Sequence, residues 1–194
     1  MAVRHESFRF DGLQVPVEIH GDGEPVFFLP GRGVHPGYYR EGLTRLGRHF
    51  TVFVPDLSFR THADLPARVD RYRQFSEALA ERHAPQALRA GHSYGGFLAL
   101  LGSVPAIALS PLIPLKVGWS NKFGRAVRLQ LREYLGFEGR RGAGWAWNIL
   151  RVYLGTAVMH PTSLFPTVAE TLHCIAHTFR PTAPRAHIVL AEFD

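Results

Sequence analysis

The sequence predicts an α/β protein: a mostly parallel central sheet with helices on both faces. Three observations carry that prediction. Short apolar runs alternate with stretches of helical periodicity between Glu6 and Leu109. Some runs, such as Pro25-Val26-Phe27-Phe28-Leu29, are continuously apolar, as expected of a strand covered on both faces. The stretch from Leu88 to Leu101 reads as a strand, a turn of small residues and an apolar helix, with Ser93 at the corner.

Taken in order, Glu6 to Phe10 and Leu13 to Ile19 alternate as half-buried strands do, and Asp11-Gly12 marks a hairpin between them. Gly21-Asp22-Gly23 ends the second strand. The third, Pro25 to Leu29, runs into Pro30-Gly31-Arg32-Gly33, followed by a helix from about Gly37 to Arg48. Thr51 to Asp56 is the fourth strand. Asp70 to His83 carries Tyr72, Phe75, Leu79 and Ala80 at helical spacing. After the Leu88–Leu101 unit, Ala106 to Leu109 is another short buried strand. Pro111 and Pro114 close it, and the pattern changes. The stretch up to Pro161 holds Trp119, Trp145 and Trp147, and helical spacing recurs over Val127 to Tyr134 and Trp145 to Leu154. A helix over Val168 to Phe179 and a last strand from His187 complete the order.

At 194 residues the chain suits one domain. Its core is expected at about 1–114 and 162–194, with an insertion at about 115–161. The net charge of +6 comes from scattered arginines, with lysine only at 116 and 122. That predicts a solvated basic surface and argues against nucleic acid as a partner. A lone cysteine, Cys174, excludes an intrachain disulfide. Met1 to Phe10 lacks the apolar core of a signal peptide, and no apolar run approaches membrane-spanning length. The expectation is a soluble cytoplasmic protein without stable membrane association; the basic, aromatic pair within 127–154 leaves a membrane-surface role as the lesser alternative. His173 and His177 stand four apart on a helix, yet no third ligand accompanies them, so no metal and no cofactor is expected.

Chemistry concentrates at Gly91-x-Ser93-x-Gly95. A nucleophilic serine needs a sharp strand-to-helix turn that lifts its hydroxyl clear of the backbone, and flanking glycines leave room where a Cβ would collide. A helix N-terminus just beyond it offers N–H groups to a developing oxyanion. The bare pattern is weak; the strand before it, the helix after it and the glycine loop closing an earlier strand make it specific. Gly91-His92-Ser93-Tyr94-Gly95-Gly96 resembles the nucleophile elbow of α/β-hydrolases.

That resemblance implies an α/β-hydrolase fold with the 115–161 insertion as a helical cap over the site. It implies Ser93 as nucleophile and the backbone N–H groups of Tyr94 and Arg32 as the oxyanion hole. Pro30 stands where the family usually has histidine. Asp194, in Ala191-Glu192-Phe193-Asp194, is implied as the triad acid, with alanine replacing the family's glycine. The family places its histidine beyond the acid, and none of the 11 histidines occupies that place. His92 is expected to turn into the sheet packing, and His35 to lie near the oxyanion loop. The expectation is therefore a chain truncated before the catalytic histidine and lacking the last strand and helix. Its last strand edge would be open to self-association. The implied activity is hydrolysis of an ester, or a related acyl or carbon–carbon bond, in a small, largely apolar substrate, weak or absent in this form. The alternative is a non-catalytic small-molecule-binding or scaffold domain of the same fold. A rival dinucleotide fingerprint, from Gly31, Gly33, Gly37 and Asp56, has its third glycine one residue late and follows the third strand instead of the first.

Overall fold

The computed structural model describes residues 3–32, 34, 36–57, 65–111 and 182–189. The expected cap at 115–161, the helix at 168–179, and Gly33, His35, His160, His173, Cys174, His177 and Asp194 lie outside the described residues.

Seven strands form one sheet in the order β1-β2-β4-β3-β5-β6-β7. The N-terminal hairpin joins β1 (Arg4–Phe10) to β2 (Leu13–His20), antiparallel, with Phe10 opposite Leu13. Its turn residues Asp11 (φ 53°) and Gly12 (φ 77°) are both left-handed, as a two-residue hairpin of this hand requires. β2 also pairs antiparallel with β4 (Phe50–Pro55). From there every pairing is parallel: β4 to β3 (Glu24–Leu29), then β5 (Leu88–His92), β6 (Ala106–Leu109) and β7 (Ala186–Val189).

Side-chain alternation divides the core between the two faces of this sheet. Phe27, Leu29 and Phe53 face one side, where they pack with Tyr72, Phe75 and Leu79 of α2 (Leu65–His83) and with Tyr94, Phe97 and Leu98 of α3 (Tyr94–Leu100). Phe28, Val52 and Val54 face the other, covered by Leu43 of α1 (Arg40–Leu46). Phe75 meets Phe8 and Phe10 edge-on, which docks α2 on the hairpin. Burying an aromatic of this size contributes about 1.5–3 kcal/mol, so these contacts hold the first helical layer in place.

Three expectations are corrected. The helix expected at Gly37–Arg48 is split: a 3-10 turn spans Pro36–Tyr39 and the α-helix spans only Arg40–Leu46. α2 begins at Leu65, earlier than the apolar spacing indicated, because Pro66 is tolerated in a helix's first turn. Arginine is also not wholly surface charge. Arg32 and Arg89 are buried, at 6% and 1% exposure, each with its guanidinium over an aromatic ring. β7 lies at the sheet's end, with Ile188 and Val189 exposed.

Candidate active site

The register of the parallel strands decides what meets at their carboxyl edge. Leu29 pairs with Gly91, and His92 with Leu109, so the ends of β3, β5 and β6 lie side by side. Ser93, directly after β5, stands at this edge with φ 54° and ψ −116°, a left-handed conformation that costs a non-glycine residue about 1–3 kcal/mol. The surroundings hold it there. The Ser93 N–H donates to the Leu109 carbonyl at 3.0 Å, and the Ser93 carbonyl accepts from Phe97 N–H at 3.0 Å, opening α3. Ser93 Oγ makes no capping hydrogen bond to that helix, so its hydroxyl is not spent on the backbone.

The glycines of the motif are explained by contact. A Cβ at Gly91 would run into the backbone of Gly95 and Gly96, and a Cβ at Gly95 into the carbonyls of Leu29 and Pro30. α3 thus starts directly against the end of β3, which brings Arg32 of the following loop and Tyr94 of the elbow to the same edge. The Arg32 side chain turns inward, where its guanidinium donates to the Leu57 carbonyl and lies 4.8 Å from the Tyr72 ring centre. The Tyr94 ring is fully buried against Tyr72 at 90°. Both side chains are structural anchors turned into the core.

His92 does turn away from the elbow, as expected, and meets a partner that the sequence did not suggest. Its Nδ1 lies 2.9 Å from the Tyr39 hydroxyl, which also accepts from Gly31 N–H at 3.0 Å. Burial pushes the Tyr39 phenol up above its ordinary value and the His92 imidazole down below its own, so both stay neutral. Ser110 was also missed. It follows β6 with φ 42°, its N–H donating to the Val189 carbonyl at 2.7 Å, beside Ser93 in the continuing register. In the sequence it is only the residue between the Ala106–Leu109 strand and the Pro111 that closes it. Among the described residues there is no cluster of metal-ligating side chains. No described helix is long and apolar enough to cross a membrane. Asp56, expected at the end of the fourth strand, follows β4 directly and donates its N–H to the Pro16 carbonyl.

Comparison with known proteins agrees with this architecture. A protein of Mycobacterium phage D29 that carries a non-heme haloperoxidase name is 36% identical over 100 residues, covering 48% of this chain and 36% of that protein. The matched part is therefore about a third of the relative's length. Among solved structures, N-formylmaleamic acid deformylase from Pseudomonas putida S16 superimposes with a TM-score of 0.61 at 19% identity, over 97% of this chain and 82% of that one. An alpha/beta hydrolase fold protein from Burkholderia ambifaria gives 0.60 at 18% identity, over 95% and 79%. At such identities these structures speak for the fold alone. The sequence pattern over residues 26–192 matches the alpha/beta hydrolase family, and the chain belongs to that family.

Proposed function

We propose that this chain is a serine hydrolase of the esterase type, with Ser93 as nucleophile and a small, largely apolar ester or acyl compound as substrate. The observation that carries the reading is the strained Ser93 backbone at the carboxyl edge of the sheet, held by glycines that admit no side chain. Strain of this kind persists where a reactive group has to be presented. The N–H groups of Tyr94 and Arg32 are the proposed oxyanion donors, and Asp194 the proposed acid.

Among the described histidines, His92 Nδ1 lies 2.9 Å from the Tyr39 hydroxyl and His20 Nε2 3.2 Å from Glu18, and His83 Nε2 stands 3.3 Å from Glu6. A hydroxyl without a positioned base forgoes about 10²–10⁴-fold in rate. The proposed turnover is weak and confined to activated esters. The rival, a binding domain of the same fold, would hold the same class of small molecule and lack the reaction. A fluorophosphonate probe separates them: slow labelling of the wild type that disappears in Ser93→Ala supports the hydrolase. Labelling that survives in Ser93→Ala removes Ser93 as nucleophile, and a silent wild type favours the binding domain. The phage relative suggests a second activity, peroxide-dependent halide oxidation, which a bromination assay with the same two proteins tests. The exposed β7, with Ile188 and Val189, is proposed as an edge for self-association, which light scattering at micromolar concentration would detect.

A further inference from the structure

Tyr39 links two segments that the sequence separates widely. It lies at the end of the 3-10 turn, in the connection after β3, and its ring packs on Phe28 at 4.9 Å and on His92 at 5.7 Å between centres. Its hydroxyl bridges Gly31 N–H and His92 Nδ1. Gly31 immediately precedes Arg32, and His92 immediately precedes Ser93. One phenol therefore joins the loop that carries one proposed oxyanion donor to the strand that carries the proposed nucleophile.

We propose that Tyr39 is a positioning residue that fixes the distance between the Arg32 N–H and Ser93 by holding the Gly31 loop to the β5 terminus. The proposal rests on the serine-hydrolase reading above. With His92 in its Nε2–H tautomer the hydrogen bonds run one way: Gly31 N–H donates to the phenol oxygen, and the phenol O–H donates to Nδ1. That arrangement leaves the imidazole proton on Nε2 and lets all three groups remain neutral. It also explains why Pro30 is tolerated in place of the family's usual histidine: the loop is tied from the next residue, through Tyr39. Gly31 itself has little freedom there, since an added Cβ would lie 3.2 Å from the phenol oxygen and 3.3 Å from Val34. An oxyanion donor acts only when held at hydrogen-bond distance from the developing charge, so a loop that drifts loses rate without losing substrate.

Tyr39→Phe keeps the ring contacts and removes only the hydroxyl. Fluorophosphonate labelling of the wild type and Tyr39→Phe is measured as a function of probe concentration. The expected result is a maximal labelling rate about 10- to 100-fold lower in the variant, with the half-saturating concentration unchanged. Nuclear magnetic resonance gives a readout independent of reactivity. In the wild type His92 shows a protonated Nε2 and an unprotonated Nδ1, and in Tyr39→Phe the Gly31 amide exchanges at least about 10-fold faster. A variant that labels at the wild-type rate, or that changes only in half-saturation, overturns the positioning role. If labelling proves independent of Ser93, the hydrolase reading has failed by itself and, with it, any positioning for catalysis. The link is then decided by Gly31 exchange alone: an unchanged rate in Tyr39→Phe refutes it, and acceleration upholds it as a tie between the loop and β5.

Discussion

The two ends of β5 are held by different means. At the amino end Arg89, 1% exposed, lies over Phe27 at 5.0 Å and donates to the Ala87 carbonyl at 2.6 Å and to Glu77 at 3.4 Å. Glu77 is itself held by the backbone N–H and hydroxyl of Ser103. Here a buried charge ties α2, β5 and the approach to β6 together. At the carboxyl end the elbow is held by backbone: two left-handed serines, two glycines packed against carbonyls, and a neutral phenol–imidazole link. A fixed charge suits a region that only has to stay put. A region that presents a hydroxyl gains more from strain, because strain aims a side chain without occupying it.

The largest expected effect comes from the tightest contact. Gly95→Ala forces a Cβ into the carbonyls of Leu29 and Pro30, backbone atoms that cannot rotate away. A loss of roughly 3 kcal/mol or more in urea unfolding is expected, together with loss of probe labelling. Gly42, inside α1 with open space around it, is the control: Gly42→Ala should gain about 0.4–1 kcal/mol. An elbow that accepted alanine as readily as Gly42 would deny the close approach on which the site rests.

Arg89→Met tests the other end. Removing one partner of a buried ion pair costs about 3–5 kcal/mol when the other charge is stranded. Glu77 is 29% exposed and keeps its Ser103 donors, so about 2–3 kcal/mol is expected in urea unfolding. Labelling per folded molecule should not change. If labelling fell in step with stability, the two ends would not be independent.

These two ends were unequally legible in the sequence. The order of strands, the hairpin at Asp11-Gly12 and the elbow at Ser93 all rest on local signals: period-two alternation, turn residues, glycines at fixed offsets. Arg89 reads as one more scattered arginine, because nothing local says that Glu77, twelve residues earlier on another element, will meet it. Tyr39 and His92 are 53 positions apart, and only the β3–β5 pairing brings the loop after β3 beside the end of β5. The burial of Arg32 was hidden for the same reason. What sequence periodicity cannot carry is a contact made by the ends of strands that pair out of order.

A smaller effect separates strain from chemistry at Ser93. Both Ser93→Ala and Ser93→Gly should abolish labelling. Glycine adopts φ 54° without the cost that a Cβ brings, so the glycine variant should be more stable than the alanine variant by about 1 kcal/mol. Equal stabilities in urea would mean that the elbow stores no strain.

The smallest expected effect is electrostatic and belongs to His92. Burial lowers its pKa below the ordinary 6.5, so the folded protein holds this imidazole neutral at a pH where the unfolded chain has begun to protonate it. The unfolded state then binds more protons, and stability must fall as pH falls through about 6.5 towards the lowered folded value. Above that window the contribution is fully present. The slope from one histidine is at most about 1.4 kcal/mol per pH unit. His92→Gln keeps a neutral polar group beside Tyr39 and removes the titration, so its urea midpoint should change less than that of the wild type between about pH 7 and about pH 5. The opposite end supplies no such slope through Arg89: burial lowers its pKa too, but from an ordinary guanidinium value far above this range. Parallel pH profiles for the wild type and His92→Gln would show that the imidazole is not held neutral, and the one-way hydrogen-bond chain from Gly31 through Tyr39 would lose its acceptor.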